Sequence, residues 1–346
     1  ESLVLAGVPM DRITVLVATG LHRPNLGDEL AELIGDPWVI EHVTVVNHDA
    51  QCDVDHVDLG RTTTRGTPVK IDRRFVQADI RIATGLVEPH FMAGYSGGRK
   101  LIAPGLAHAD TIRTFHNHAF MSNPAAANCN LRENPLHEEQ LQIVEMIGGA
   151  YSLNTVIDES RNLSMVNFGE ITSSHLDAVS FIQQYCRVEV PRRYHTVVTS
   201  AAGYPLDKTY YQTVKGMVGA MDILAPGGDL IIASEFSEGM GSAEFVAAQR
   251  RLVAEGPEAF LAGILAKTHA DIDEWQTQMQ LGPMSAGNIY LFSDGLPQCD
   301  HRLTGVKVTR SIDDVIQQSL KRGGDQAVAV IPEGPYVVPF YRPATF

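Results

Sequence analysis

GLVEPHFMAGYSGGRKLIAPGLAHADTIRTFHNH is the sequence of residues 85–118. These residues follow an aliphatic run at 80–83, which predicts a buried strand. They are too polar and too rich in glycine to be a simple connector. Open α/β sheets bind ligands beyond the carboxyl ends of their strands, where such loops lie. The stretch therefore predicts an α/β fold with a ligand site directly after this strand.

The turn Gly97-Gly98-Arg99-Lys100 carries the strongest ligand signal within this stretch. Paired glycines allow close approach of the backbone and direct several N–H groups at an anion, and two cations follow them. We expect a phosphate group there. The turn is too short for a nucleotide-hydrolysing P-loop, and Leu101 stands where that loop has Ser or Thr. An ordinary exposed turn is the alternative, which the flanking His90 and His116 disfavour.

The length of 346 residues predicts two domains. We place an N-terminal α/β domain at 1–187, a C-terminal α/β domain at 188–330, and a tail at 331–346 that packs across the junction. The interval 187–193 is the most linker-like part of the chain. The formal net charge of −14 argues against nucleic acid or an anionic membrane as the main partner.

The four cysteines at positions 52, 129, 186 and 299 share no CxxC spacing. This pattern disfavours a structural zinc or iron–sulfur site and is typical of a reducing compartment. No apolar run approaches the roughly 18 residues that a membrane span needs. We therefore predict a cytoplasmic protein. The chain starts at Glu1 without Met, in what reads like the end of a helix, so we expect that an upstream piece is missing.

Short aliphatic runs recur along the chain and predict its strands. These strands are predicted at 13–18, 43–47, 67–71, 80–84, 195–199, 229–234, 288–292, 306–308 and 326–331. Helices are predicted at 26–34, 72–78, 135–148, 174–186, 243–266 and 311–322. Residues 151–170 alternate between apolar and polar.

Polar side chains follow several of these strands. His22 and Arg23 come after the first strand, either as part of the site or as ordinary surface residues. Gln212 and Lys215 share a face near the start of a helix that follows strand 195–199, which suits a carboxylate grip. The acidic, histidine-bearing segment 48–60 matches no metal-ligand spacing, so we predict a solvated polar loop there.

Four motifs together resemble one known family. They are T19-G-L-H22-R-P24, E88-P-H90-F-M-A-G-Y-S-G-G-R-K100, T111-I-x-x-x-H116 and G203-Y-P-L-D-x-x-x-Y-Q212-x-x-K215-G. In this order they resemble the nickel-dependent lactate racemase (LarA) family through nearly the whole chain. The resemblance implies two Rossmann-like α/β domains with mainly parallel sheets and a site in the cleft between them.

The resemblance also implies a cofactor and its attachment. Members of the family carry a nickel pincer nucleotide, the nickel complex of pyridinium-3-thioamide-5-thiocarboxylic acid mononucleotide. The lysine that matches Lys100 tethers it, and the histidine that matches His116 ligates nickel. We add Ser96, Gly97, Gly98 and Arg99 as cofactor-binding residues. Cofactor-biosynthesis and delivery proteins are then expected partners.

The implied reaction is racemisation of a small 2-hydroxy acid by reversible hydride transfer through a planar 2-keto acid. The histidines that match His22 and His90 are the paired acid/base groups, and imidazole suits that work near neutral pH. Those matching Gln212 and Lys215 hold the substrate carboxylate, and Arg23 adds a charge-assisted bond.

Several alternatives stay open at this point. His118 competes with His116 as the nickel ligand, and in a helix the two would point about 200° apart. A D-x-x-R-P-type loop, which family members carry before the first strand, has no match here. An NAD-type dehydrogenase is another alternative, although the sequence lacks the G-x-G-x-x-G fingerprint that such an enzyme carries. An inactive cofactor-binding protein of the same family is the remaining alternative.

Overall fold

The computed structural model describes residues 1–343 and shows an α/β protein, as the sequence predicts. Its strands are β1 (Thr14–Val17), β2 (Thr44–Asn47), β3 (His56–Arg61), β4 (Pro68–Asp72), β5 (Ile82–Leu86), β6 (Pro89–His90), β7 (Gly94–Tyr95), β8 (Tyr151–Ile157), β9 (Leu163–Glu170), β10 (Arg187–Val190), β11 (Tyr194–Ser200), β12 (Leu224–Ala233), β13 (Gly287–Phe292), β14 (Lys307–Thr309), β15 (Val328–Ile331) and β16 (Val338–Tyr341).

The helices in the same residues are α1 (Ser2–Leu5), α2 (Asp28–Ile34), α3 (Pro37–His42), α4 (Arg73–Val76), α5 (Ala109–Phe115), α6 (His118–Met121), α7 (Pro135–Met146), α8 (Ile171–Cys186), α9 (Tyr210–Ala220), α10 (Ala243–Glu255), α11 (Pro257–Ile264), α12 (Glu274–Ala286) and α13 (Ile312–Gly323). Within residues 1–343, none of these helices has both the length and the apolar character needed to cross a membrane.

The chain forms two compact units. The first unit comprises residues 1–86, 97–115 and 138–176. The second unit comprises residues 87–96, 116–137 and the chain from 177 onward. The stretch 85–118, which the sequence marks as the site, therefore contributes residues to both units.

The first unit is built from small sheets around an aliphatic core. Strands β1 and β2 pair in parallel, and so do β5 and β8, whereas β9 returns antiparallel to β8. Strands β3 and β4 form a separate antiparallel pair. Ile71, Ile102 and Ile143 are fully buried, and each such side chain contributes about 1.5–3 kcal/mol of burial free energy.

The second unit contains a five-stranded parallel sheet in the order β14-β13-β12-β11-β15. Val197, Leu230 and Ile232 on its strands pack with Met217 and Phe245 in one buried cluster. Strand β11 leads through residues 201–209 into α9, so the start of α9 lies at the carboxyl edge of this sheet. That edge is where ligands bind in parallel sheets.

Most predicted strands and helices are confirmed within a few residues, but three predictions are wrong. Residues 48–60 are not a solvated loop, because His48 and His56 are buried and residues 56–61 form β3. The linker at 187–193 contains a strand, since β10 pairs in parallel with β16. The helix predicted at 243–266 is two helices, interrupted by Gly256 at a φ of 83° before Pro257.

Several further elements carry no sequence signal that we recognised, among them α3, α5, α12 and β16. Helix α12 spans residues 274–286 and contains Pro283. Strand β16 lies within the predicted tail 331–346, of which residues 344–346 lie outside the described chain.

Candidate active site

The loop after β1 holds His22 and Arg23 in the first unit. The backbone N–H of His22 donates to the Thr19 carbonyl at 3.0 Å, and this turn leaves His22 exposed. Both terminal nitrogens of Arg23 donate to the Glu29 carboxylate, at 2.5 and 2.6 Å. Arg23, predicted to hold substrate, therefore already forms a two-point ion pair in its own unit.

The glycine turn at 97–100 also lies in the first unit. Gly97 and Gly98 have φ angles of 73° and 49°, which favour glycine, and the Lys100 N–H donates to the Gly97 carbonyl at 3.0 Å. The Arg99 side chain turns inward, is 2 % exposed, and donates from Nη1 to His175 Nε2 at 2.9 Å. Burial lowers the pKa of the Arg99 guanidinium to about 9.

The hairpin of β6 and β7 presents His90 in the second unit. Ser96 closes this hairpin, since its N–H donates to the Glu88 carbonyl at 2.9 Å and its Oγ accepts from the Glu88 N–H at 3.0 Å. The Nδ1 atom of His90 accepts from the N–H of Ala93 at 3.1 Å. The neutral ring of His90 therefore carries its proton on Nε2.

A cavity of about 340 Å³, including its open mouth, lies in the second unit. Glu88, His90, Asn128 and Lys215 form its polar wall, and Phe91, Leu206 and Pro335 are among its apolar lining. The sequence predicted His90 and Lys215 as site residues, and here they line one space. Asn128 was not predicted, because no motif or periodicity marks it.

Lys215 is a cation set against apolar surface in this cavity. Its Nζ lies 6.0 Å from the Phe91 ring centre. Burial lowers the pKa of Lys215, and the nearby Glu88 carboxylate partly opposes that shift. Among residues 1–343, no carboxylate lies within 4.0 Å of Nζ. Such an ammonium is suited to an anionic ligand.

Gln212 precedes Lys215 by three residues on α9, as predicted. Thr209 caps this helix by accepting from the Gln212 N–H at 3.3 Å. The Oε1 atom of Gln212 is buried and has no hydrogen-bond partner among the described residues. A buried acceptor without a partner is costly, so a donor from a ligand would stabilise it.

His116 lies in the turn between α5 and α6, in the second unit, and is 7 % exposed. Its ring packs against Trp275, with ring centres 4.7 Å apart. His118, by contrast, opens α6, and its Nδ1 bonds Gln278 Nε2 at 3.0 Å. The two histidines therefore face different neighbours, and His118 already has an amide partner.

The side chains that hold Trp275 in place escaped the sequence analysis. Trp275 Nε1 donates to the Tyr211 hydroxyl at 3.2 Å. Burial, together with the nearby negative charge of Asp273, raises the pKa of this hydroxyl. Ser242 donates to Asp273, at 2.6 Å, and burial raises the pKa of this carboxyl. Of these residues, Tyr211 alone lies in one of the motifs that we recognised. In that motif we predicted the neighbouring Gln212 as a site residue, and not Tyr211.

The chain matches two family models. Residues 1–128 match the lactate racemase N-terminal domain, and residues 191–338 match the lactate racemase C-terminal domain. A lactate racemase from Thermoanaerobacterium thermosaccharolyticum is 32% identical over 269 residues, which is 77% of this chain and 62% of that protein. One from Lactiplantibacillus plantarum is 28% identical over 329 residues, which is 94% of this chain and 76% of that protein.

Solved structures agree with these matches. The lactate racemase apoprotein from Thermoanaerobacterium thermosaccharolyticum superposes with a TM-score of 0.87 at 28% identity, covering 95% of this chain and 78% of that one. A protein from Thermotoga maritima shares the fold, with a TM-score of 0.72 at 16% identity over 95% of this chain and 86% of its own. Matches to one family thus extend over both halves of the sequence, and the chain belongs to the lactate racemase family.

Proposed function

We propose that the protein is a lactate racemase-like 2-hydroxy-acid racemase or epimerase, an isomerase that works with a lysine-tethered nickel pincer nucleotide. The observation that carries this proposal is the cavity of the second unit, where His90 and Lys215 line one space. A 2-hydroxy acid needs an imidazole to exchange the proton of its hydroxyl and an ammonium to bind its carboxylate. The matches to lactate racemases support the same reaction class.

Lys215 and Gln212 hold the substrate carboxylate in this proposal. The ammonium supplies a charge-assisted hydrogen bond, which contributes about 1.5–3 kcal/mol where water is largely excluded. Phe91 and Leu206 give the cavity an apolar side that accepts a small aliphatic substituent. The substrate class is therefore a small monocarboxylic 2-hydroxy acid, because Glu88 repels a second carboxylate.

His90 exchanges a proton with the substrate oxygen through its Nε2 atom in this proposal. Since its Nδ1 accepts a backbone N–H, the proton available for transfer is the one on Nε2. A racemase needs a second proton carrier for the opposite enantiomer. We assign that role to His22 of the first unit, and we assign Arg23 to the substrate carboxylate once it leaves Glu29.

The residues present fit a tethered nickel nucleotide. Lys100 offers a primary amine in a glycine turn, and Ser96, Gly97, Gly98 and Arg99 directly precede it in the chain. His116 offers an imidazole, which suits nickel. Within residues 1–343, no group of three or more His, Cys, Asp or Glu side chains is placed to hold a metal. A single protein ligand therefore agrees with a cofactor that brings its own donors. When bound, this cofactor supplies a reversible hydride acceptor.

In this proposal the two halves of the chain and the tail have separate roles. Cofactor attachment is assigned to residues 1–187, substrate gripping to residues 188–330, and the tail at 331–346 to packing across the junction. Cofactor-biosynthesis and delivery proteins are the expected partners. The four free cysteines support a cytoplasmic location, because thiols persist in a reducing compartment.

The test is to co-express the protein with cofactor-making enzymes and to measure nickel content and the mass of the Lys100 peptide. We expect bound nickel, a mass adduct on Lys100, and racemisation of an enantiopure 2-hydroxy acid. Lys100→Ala should lose all three, whereas Lys321→Ala, at an exposed lysine of α13, should lose none. A nickel-free, unmodified chain, with Lys100→Ala as active as the parent, would refute the proposal.

A further inference from the structure

Helix α8 carries a histidine that contacts the turn before Lys100. His175 is 1 % exposed and Arg99 is 2 % exposed, so their hydrogen bond of 2.9 Å is shielded from water. A guanidinium can only donate, so His175 Nε2 is the acceptor. The neutral imidazole therefore keeps its proton on Nδ1. An uncompensated buried guanidinium is unfavourable, and this acceptor offsets part of that cost.

The same imidazole packs against the backbone of Gly98. A Cβ atom at position 98 would lie 2.6 Å from His175 Cγ, closer than real contacts of this kind. The φ angle of Gly98 is 49°, a backbone conformation that is unfavourable for residues with a side chain. Glycine is thus required here by the histidine ring as well as by the turn.

We infer that His175 is a positioning residue, which fixes the turn at 97–100 and thereby the direction in which the Lys100 amine points. It contacts the two residues directly before Lys100, one by packing and one by a hydrogen bond. The Lys100 N–H closes the turn on the Gly97 carbonyl at 3.0 Å. His175 touches no reacting atom in this account, and its effect passes through Gly98 and Arg99.

Packing against His175 orders the turn at 97–100. A backbone with two glycines at positive φ has many other conformations in the absence of packing, so an isolated turn of this composition would be mobile. With His175 in place, the turn loses this conformational freedom when the protein folds. It therefore does not have to lose it when a ligand is attached. Where the inference concerns cofactor attachment it rests on the proposed function, but the order of the turn does not.

Two variants separate the two contacts of His175. His175→Gln retains a side-chain acceptor at similar reach, whereas His175→Phe retains a ring beside Gly98 and removes the acceptor. Thr62→Val is the matched control, because Thr62 is also buried in the first unit and its hydroxyl bonds go to Glu139 and Thr67. His175→Phe and His175→Gln lose or weaken one buried hydrogen bond, and Thr62→Val loses two.

The measurement is the rate at which an N-hydroxysuccinimide ester acylates Lys100, read by peptide mass spectrometry against exposed Lys321 in the same digest. Melting temperatures are recorded for each variant. We expect His175→Phe to raise the Lys100 rate about threefold or more through local opening, and His175→Gln to stay near the parent. Thr62→Val should lower the melting temperature without changing the Lys100 rate.

Cofactor loading gives a second readout on the same proteins. We expect His175→Phe to carry less adduct on Lys100 than Thr62→Val at equal stability, with His175→Gln restoring it. An unchanged acylation rate in His175→Phe, or the same change in Thr62→Val, would overturn the positioning role. An absence of adduct in every protein, parent included, would instead contradict the proposed function and leave the acylation comparison valid.

A double-mutant cycle tests the packing contact directly. Gly98→Ala should raise the Lys100 acylation rate in the parent, because the new methyl group displaces the His175 ring. In the His175→Ala background the methyl group has space, and Gly98→Ala should add little. Equal effects of Gly98→Ala in both backgrounds would show that the ring does not hold the turn.

Discussion

The buried pair His48 and His56 makes the protein sensitive to acid in a way that can be calculated. Their Nε2 atoms lie 3.1 Å apart, and His56 Nδ1 lies 2.8 Å from the Cys52 carbonyl. Since a carbonyl only accepts, His56 carries its proton on Nδ1, and His48 must donate from Nε2. Burial, with a smaller contribution from His56, lowers the pKa of His48 from 6.5 to about 4.

The sign and size of the effect follow from proton linkage. Between pH 6.5 and pH 4 the unfolded chain binds a proton at His48 that the folded chain does not, so stability falls as the pH falls. One unit of pKa difference corresponds to about 1.4 kcal/mol, so the fall from His48 approaches about 3 kcal/mol. Below pH 4 both states are protonated and this contribution levels off.

The assay is chemical unfolding of a Trp275→Phe protein, in which Trp38 fluorescence reports on the first unit. The parent and His48→Asn are compared at several pH values from 7 to 4. We expect His48→Asn to be less stable at pH 7 and to lose about 3 kcal/mol less between pH 6.5 and pH 4. Parallel pH profiles for the two proteins would refute the account of this histidine pair.

Three further predictions concern the second unit. Lys215→Met should raise KM for the hydroxy acid about 10- to 100-fold, and Lys215→Arg should raise it far less. Because burial lowers the pKa of Lys215, KM of the parent should also rise at alkaline pH as the ammonium loses its proton. Gly94→Ala should cost about 3 kcal/mol in thermal unfolding, because its Cβ would lie 2.4 Å from the Asn130 carbonyl oxygen at a φ of 78°. Gly149→Ala, a comparison taken from the first unit with a φ of 83° and open space, should cost about 1 kcal/mol, and equal costs would contradict the packing argument. Trp275→Phe keeps a ring beside the candidate nickel ligand and should retain nickel after loading, whereas Trp275→Leu should lose it; equal nickel contents would show that the ring is dispensable.

Sequence periodicity predicted the central strands of the second unit because both faces of that sheet are buried. Strands β11 and β12 carry short runs of β-branched or aliphatic side chains for that reason. Strand β10 reads RVEV, in which only two of four residues are apolar, so its pairing with the distant β16 is what makes it a strand. Helix α12 buries Gln276 and Gln280, whose partners come from other elements, so its sequence shows no apolar stripe.

The candidate site shows the same limit at the level of single side chains. The family resemblance assigned His90 and Lys215 to one substrate site, but their positions 125 residues apart do not by themselves show that both line one cavity. Arg99 reads as a free cation beside Lys100, yet the structure buries it against His175, which lies 76 residues away in sequence. A side chain's direction depends on partners from distant segments, which local sequence does not encode.

The most direct test of the central claim uses a 2-hydroxy acid of one configuration, carrying deuterium at C2, and the loaded protein in ordinary water. Reversible hydride transfer predicts that the product is racemic and retains its deuterium. Racemisation with loss of deuterium to the solvent, or no racemisation by a chain that carries the Lys100 adduct and nickel, would contradict the account.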